Sequence, residues 1–205
     1  MAIIANIVAK PILSKTDLAV SRVRQMATIR EKHGFQARVV QYASGPNADC
    51  IGLQAMAKDF TSFGKGYASF IKDPDYQELM SQRQSDPAVE IVSRNIYRTV
   101  YGESNWSDYP VSLQRSYHLP VHNLSKALDI LAKVDNLTGD NTNLIAAVPV
   151  TGPEMSAMTA VYQFRSFEDS GKALDEVGLS SEFRALAEEA SELGELRTAQ
   201  ILSAI

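Results

Sequence analysis

Four polar side chains fall where this sequence could build a site. Asn6 lies in the opening segment Ile3 to Lys10, and Gln114, Ser116 and His118 lie in a second segment, Ser112 to Leu119. An imidazole can act as a general base near neutral pH, and two amides can orient a carbonyl or a phenol. His118 and Asn6 are therefore the candidate catalytic residues, with Gln114 and Ser116 as ligand-binding partners. Each has a plainer role open to it. Asn6 and Gln114 would also serve as a hydrogen-bonded pair bridging two sheets, and His118, just before Leu119-Pro120, would also serve as a strand end at the surface. His33 precedes Gly34, where a cation complements a helix dipole, and His122 precedes a helix cap. Three dispersed histidines without paired carboxylates at ligand spacing build no metal site, and no cofactor is expected. Cys50 is the single cysteine, which excludes an intrachain disulfide, a cysteine metal cluster and a dithiol motif. It reads as a small buried hydrophobe. Gly64-Lys65-Gly66 lacks the spacing of a phosphate-binding loop. Arg38, Arg94 and Arg98 read as solvated or ion-paired, although an arginine pointing inward would favour an acidic ligand.

What positions these residues is an internal repeat. Ser44-Gly45-Pro46 recurs as Thr151-Gly152-Pro153, 107 residues on, and Ser62-Phe63 recurs as Ser166-Phe167, 104 on. Asp75-Tyr76-Gln77-Glu78-Leu79 parallels Glu182-Phe183-Arg184-Ala185-Leu186, and the run from Val92 to Val100 parallels that from Arg197 to Ile205. Four anchors in one order, at nearly one spacing, point to duplication. The halves are 1–101 and 111–205, with 102–110, which holds Trp106, as linker.

Each half reads strand, helix, strand, strand, helix, strand. Thr16 or Asp17 is positioned to cap the first helix, which carries Ala19, Val23, Met26 and Ala27 on one face before Gly34. Asn123 is the equivalent cap, followed by Leu124, Leu128, Leu131 and Ala132 and then Gly139. Ala37 to Ala43 and Asn143 to Val150 run through Gly-Pro turns into third strands, Cys50 to Asp59 and Ser156 to Phe164. Ser62 and Ser166 open the second helices, and the first of these restarts at Asp73-Pro74, with Phe63, Tyr67 and Phe70 assigned to the core. The fold class is α+β: two tandem ferredoxin-like βαββαβ repeats whose antiparallel sheets pack into one barrel. Period-two alternation sets Ile4, Asn6 and Val8 on one face of the first strand and Ser112, Gln114, Ser116 and His118 on one face of its counterpart, with an offset of 108 from Asn6 to Gln114. That polar set faces the interior.

The hydrophobic fraction of 45% is ample for a core. With 20 Lys and Arg against 24 Asp and Glu, the net charge of −4 gives no footprint for nucleic acid or an anionic membrane. The N-terminus shows no signal-peptide pattern and no apolar run reaches membrane-spanning length, so a reducing, cytoplasmic location is expected. The partners expected are a small-molecule ligand and, through exposed sheet edges, a second copy of an already pseudo-dimeric chain.

The opening strand Ile4-Ala5-Asn6-Ile7-Val8-Ala9-Lys10-Pro11 before a capped helix, and Ser62-Phe63 leading to Asp73-Pro74-Asp75-Tyr76-Gln77-Glu78-Leu79, resemble the dimeric α+β barrel superfamily. That group includes antibiotic-biosynthesis-type monooxygenases, NIPSNAP-like proteins and stress-responsive barrels. The second half keeps Ser166-Phe167 but has Gly178-Leu179-Ser180-Ser181-Glu182-Phe183 in place of the Asp-Pro-Asp-Tyr opening. The resemblance implies a fold, and with it either a cofactor-independent monooxygenase-like enzyme acting on a small aromatic or polyketide-like molecule, or a non-catalytic ligand-binding or stress-associated barrel. Some of the resembled monooxygenases use an asparagine on the first strand, where Asn6 falls, but no accompanying tryptophan-and-histidine motif aligns. A third activity in the group, haem binding or degradation, would need a histidine with open space above it.

Overall fold

The computed structural model covers residues 1–205. The first half supplies strands β1 (Ile3–Pro11), β2 (Gln36–Ser44), β3 (Ile51–Ala57) and β4 (Val89–Tyr101), with helices α1 (Thr16–Lys32), α2 (Phe60–Phe70) and α3 (Pro74–Ser85). The second supplies β5 (Val111–His118), β6 (Asn143–Thr151), β7 (Ala157–Phe164) and β8 (Glu195–Ala204), with α4 (Leu124–Thr138), α5 (Phe167–Ala173) and α6 (Ser181–Ser191). Strand order is β4-β1-β3-β2 in one half and β8-β5-β7-β6 in the other, the ferredoxin-like order in both. Antiparallel pairing of β2 with β8 and of β4 with β6 joins the halves into one closed eight-stranded barrel. Every strand therefore has a neighbour on both sides, so the exposed sheet edges expected to pair two copies of the chain are absent. Closure has used them.

The local signals explain most of the elements and correct some. Asp59, not Ser62, caps α2, its carboxylate accepting the Ser62 backbone N–H at 2.7 Å. Asp73 and Ser166 cap α3 and α5 through their own side chains. α1 and α4 carry no side-chain cap. A 3₁₀ turn, Leu13–Lys15 or Val121–Asn123, feeds directly into each of them, so Thr16 is already helical and Asn123 donates instead to the Leu193 carbonyl at 2.8 Å. The second helix of each half is broken in two, α2/α3 and α5/α6. Two glycines are set by close approach. A Cβ on Gly52 would lie 2.8 Å from Val40 and 3.0 Å from the Tyr42 ring, and one on Gly66 would lie 2.7 Å from both the His33 carbonyl and the Phe35 ring. The first lets Tyr42 lie flat in the sheet interior. The second seats α2 against the end of α1.

The alternation predicted for β1 and β5 holds. Ile4, Asn6, Val8, Gln114 and Ser116 face the barrel interior, while Ala5, Ile7, Ala9, Arg115, Tyr117 and Leu119 face the helices. The helical layers differ between halves. In the second, Val111, Leu113, Met158, Tyr162 and Phe164 pack with Ala127, Leu131 and Val134 of α4 into the largest continuous core. In the first half the core is broken into small clusters of three to five residues. Residue volume accounts for the difference. Where β5 and β7 present Leu113, Tyr117, Tyr162 and Phe164, the corresponding positions of β1 and β3 are Ala5, Ala9, Ala55 and Ala57. Side chains of that size fill less of the layer between sheet and helices.

Candidate functional site

Beside Ala5 and Ala9 lies a cavity of about 350 Å³ between the sheet and α1, α2 and α3, while Ala55 and Ala57 pack against Phe35. Ala5, Ile7, Ala9, Ile51 and Leu53 form its sheet wall. Phe63, Tyr67 and Phe70 of α2 and Tyr76, Leu79 and Met80 of α3 form its roof. Phe63 and Tyr67 stack with ring centroids 6.2 Å apart, and Phe70 meets Tyr76 at 4.4 Å. Of the aromatics assigned to the core from the sequence, Phe70 is buried in a core cluster and Phe63 packs against another while both also line the cavity, and Tyr67 is half exposed.

Four arginines border this apolar space, Arg22, Arg30, Arg83 and Arg94, and no Asp or Glu does. Arg22 is neutralised from outside, its guanidinium bonding the Asp86 backbone carbonyl and lying 3.6 Å from the Asp86 carboxylate. Arg30 is buried, with no carboxylate within ion-pairing distance and no partner for its Nε. Its charge rests on aromatic faces, 5.0 Å from the Phe70 centroid and 5.9 Å from Phe35. Burial lowers its pKa from the ordinary arginine value, the response of a cation lacking a counter-charge. Arg94 is exposed and Arg83 half-buried, and neither has a carboxylate within 4.0 Å. The chemistry on offer is an apolar slot with positive charge on its walls. It suits a hydrophobic body carrying an anionic group.

A second cavity, of about 280 Å³, is the barrel interior. Strand register lays Arg38, Gln54, Asn6 and Asn95 side by side across β2, β3, β1 and β4. The first three are hydrogen-bonded in series: Arg38 Nε donates to Gln54 Oε1 at 2.8 Å, and Gln54 Nε2 to Asn6 Oδ1 at 3.3 Å, while Asn95 Nδ2 donates to the Tyr97 hydroxyl at 3.3 Å. Asn6 Nδ2 donates to the Tyr42 hydroxyl at 3.5 Å. In the other half Gln200 Nε2 donates to Gln114 Oε1 at 2.9 Å, and Gln200 Oε1 accepts from Asn47 at 2.9 Å. Ser116 and Thr159 share a hydroxyl hydrogen bond at 3.0 Å.

Asn6, Gln114 and Ser116 thus share the interior. His118 does not join them. It lies at the last residue of β5, partly exposed, with Nδ1 3.4 Å from Glu154. Alternation fixes the face of a residue but not its depth along the barrel. No histidine borders either cavity, so neither has the histidine that haem ligation of the kind considered above requires. His33 is held by Asp73 at 2.7 Å and Ser69 at 2.9 Å. No group of three or more His, Cys, Asp or Glu side chains comes together as a metal-ligating set, and no helix is long and apolar enough to cross a membrane.

Two residues outside the sequence-derived set belong to the interior. Arg38 points inward, and Trp106 folds out of the 102–110 segment to close one end, its ring 4.5 Å from the Arg38 guanidinium. A lone tryptophan in a segment of Ser, Asn and Asp was the one available signal.

No family model and no curated protein matches the sequence. Solved structures do match its shape. A candidate monooxygenase from Fusobacterium nucleatum superposes with a TM-score of 0.67 at 7% identity, over 99% of this chain and 92% of its own. An anthrone oxidase-like protein gives 0.67 at 10%, over 100% and 91%. A variant chlorite dismutase from Candidatus Nitrospira defluvii gives 0.58 at 8%, over 100% and 91%. At such identities the likeness is one of fold, and the chain has the architecture of the dimeric α+β barrel proteins with both halves of the barrel in one polypeptide.

Proposed function

We propose that the cavity beneath α1–α3 receives a small aromatic or polyketide-like molecule bearing an anionic group. The observation that carries this reading is the wall itself: an apolar slot of about 350 Å³ with four arginines and no carboxylate, in which the buried Arg30 lacks a counter-ion. The hydrophobic body would lie between Ala5 and Ala9 on one side and Tyr67, Phe70 and Tyr76 on the other. The anionic end would replace the water that a guanidinium requires.

Chemistry of the cofactor-independent oxygenase type follows from the same ligand. Positive charge lowers the pKa of a bound phenol or enol and favours its anion, the electron-rich form that reacts with dioxygen. For a methylene flanked by aromatic rings, one oxygen atom becomes the product carbonyl and the other leaves as water. The substrate supplies all four electrons, so no external reductant enters. The fold likeness to a candidate monooxygenase and to an anthrone oxidase-like protein favours this version over simple binding. No histidine or carboxylate borders the cavity to take the proton, which favours ligands acidic enough to ionise in an arginine field.

An oxygen electrode distinguishes the two versions. Anthrone-type and phenolic compounds are offered to wild type, Arg30→Met and His118→Ala. Oxygen uptake that Arg30→Met abolishes and His118→Ala leaves intact supports the enzyme. Saturable binding without uptake leaves a ligand-binding barrel, and uptake lost with His118→Ala would return the site to the barrel rim.

A further inference from the structure

We propose that the barrel interior is a second binding site, separate from the helix-side cavity, for a small monocarboxylate seated against Arg38. Arg38 is the only charged residue bordering the interior, and it has no carboxylate within 4.0 Å. Its side chain is held from two directions, by Gln54 Oε1 on Nε at 2.8 Å and by the Trp106 ring against its face at 4.5 Å. The residue is 9% exposed, and its Nη1 is fully buried without a partner. An ordinary structural arginine spends its buried N–H groups on acceptors. This one is fixed in place with a donor unspent, beside about 280 Å³ of open space.

The surroundings define the ligand. One cation matches one carboxylate. The Asn6 amide reaches the Tyr42 hydroxyl at a long 3.5 Å, and Asn95 and Tyr97 lie on the same wall, so neutral donors are at hand for the second oxygen and for a further polar group. The volume falls below the range typical of drug-sized ligands, which selects a small acid. Trp106 closes one end, and Asn47 of the β2–β3 turn borders the interior and donates to Gln200. Burial pushes Arg38 down to about 9, so it is still charged at neutral pH, and a bound carboxylate would raise it again.

Trp106 is the only tryptophan, which makes its fluorescence a local reporter. Acetate, propionate and pyruvate are each titrated into the full chain against sodium chloride at equal ionic strength, with calorimetry for stoichiometry. The expected result is one saturable site for at least one acid. Arg38→Met should weaken it by about tenfold or more, while Arg30→Met leaves it within about twofold, which separates this site from the helix-side cavity. Should Arg38→Met not fold, Arg38→Lys is read in its place. It keeps the charge but loses the planar fork, so binding about fivefold weaker is expected, and unchanged affinity would count against the site. A response equal to that of chloride, a response that follows Arg30 instead of Arg38, or no saturable change with any of the three acids overturns the proposal.

Discussion

Arg30 gives a prediction whose sign in stability is opposite to its sign in function. Methionine at this position has similar length, keeps the packing against Phe70 and removes the charge. Replacing a buried ion pair by apolar groups of like volume is neutral to stabilising, by roughly 1–4 kcal/mol, and a buried ion without a counter-charge has less attraction still to lose. The cation–π contacts with Phe70 and Phe35 return roughly 0.5–2 kcal/mol of that. A net gain of about 1 kcal/mol remains, worth about 2–4 °C in Tm for a chain of this length. Ligand binding moves the other way. Losing one partner of a buried charge-assisted contact costs about 2 kcal/mol or more, a weakening of about 30-fold. Thermal unfolding by circular dichroism and titration calorimetry of the same Arg30→Met sample measure the two signs together. A variant that melts several degrees lower while binding acids as before would refute the reasoning, because Arg30 would then be a structural cation.

Ala5→Leu places in the first half the side chain that β5 carries at Leu113. It should raise stability by about 1 kcal/mol and abolish ligand binding, read by chemical denaturation and calorimetry. Gly66→Ala puts a Cβ 2.7 Å from the His33 carbonyl and the Phe35 ring, and should destabilise the fold by roughly 1–3 kcal/mol in a urea titration. Asp73 has its pKa held below the ordinary 3.8 by the hydrogen bond from His33, with further help from the backbone N–H groups of Asp75 and Tyr76. Its stabilising contribution is therefore complete above pH 3.8 and lost as pH falls through the lower folded value. Acid titration of unfolding should show a shallower decline for Asp73→Asn than for wild type in that window, with the variant less stable at neutral pH.

The faces of β1 and β5 were legible because alternation is a local property. Asn6, Gln114 and Ser116 accordingly lie where the pattern puts them. Arg38 was not legible as an inward cation, since its destination depends on which face of β2 meets the closed interior and on a linker that folds back over the barrel end. Tertiary return of that kind leaves no periodic trace, and Trp106 was assigned to the linker with no contact to anticipate. His118 shares the face of Ser116 but lies at the last residue of its strand, where the interior has already ended. The hollow first half was within reach of sequence reasoning. Aligning the repeats sets Ala5, Ala9, Ala55 and Ala57 against Leu113, Tyr117, Tyr162 and Phe164, and comparing those volumes would have shown that the first helical layer is the less filled of the two. The aromatic face of α2 gave no such warning, because a cavity roof and a core face have the same helical spacing.

The central claim is that the helix-side cavity selects a hydrophobic anion. Calorimetric titration, in an Arg38→Met background that removes the barrel-interior site, with a set of aromatic and polyketide-like acids, each paired with its neutral amide or ester, tests it most directly. The account predicts at least one acid binding with a stoichiometry of one, about tenfold or more tighter than its neutral counterpart, with that preference lost in Arg30→Met. Acids binding no more tightly than their neutral partners, or a preference that survives in Arg30→Met, would contradict it.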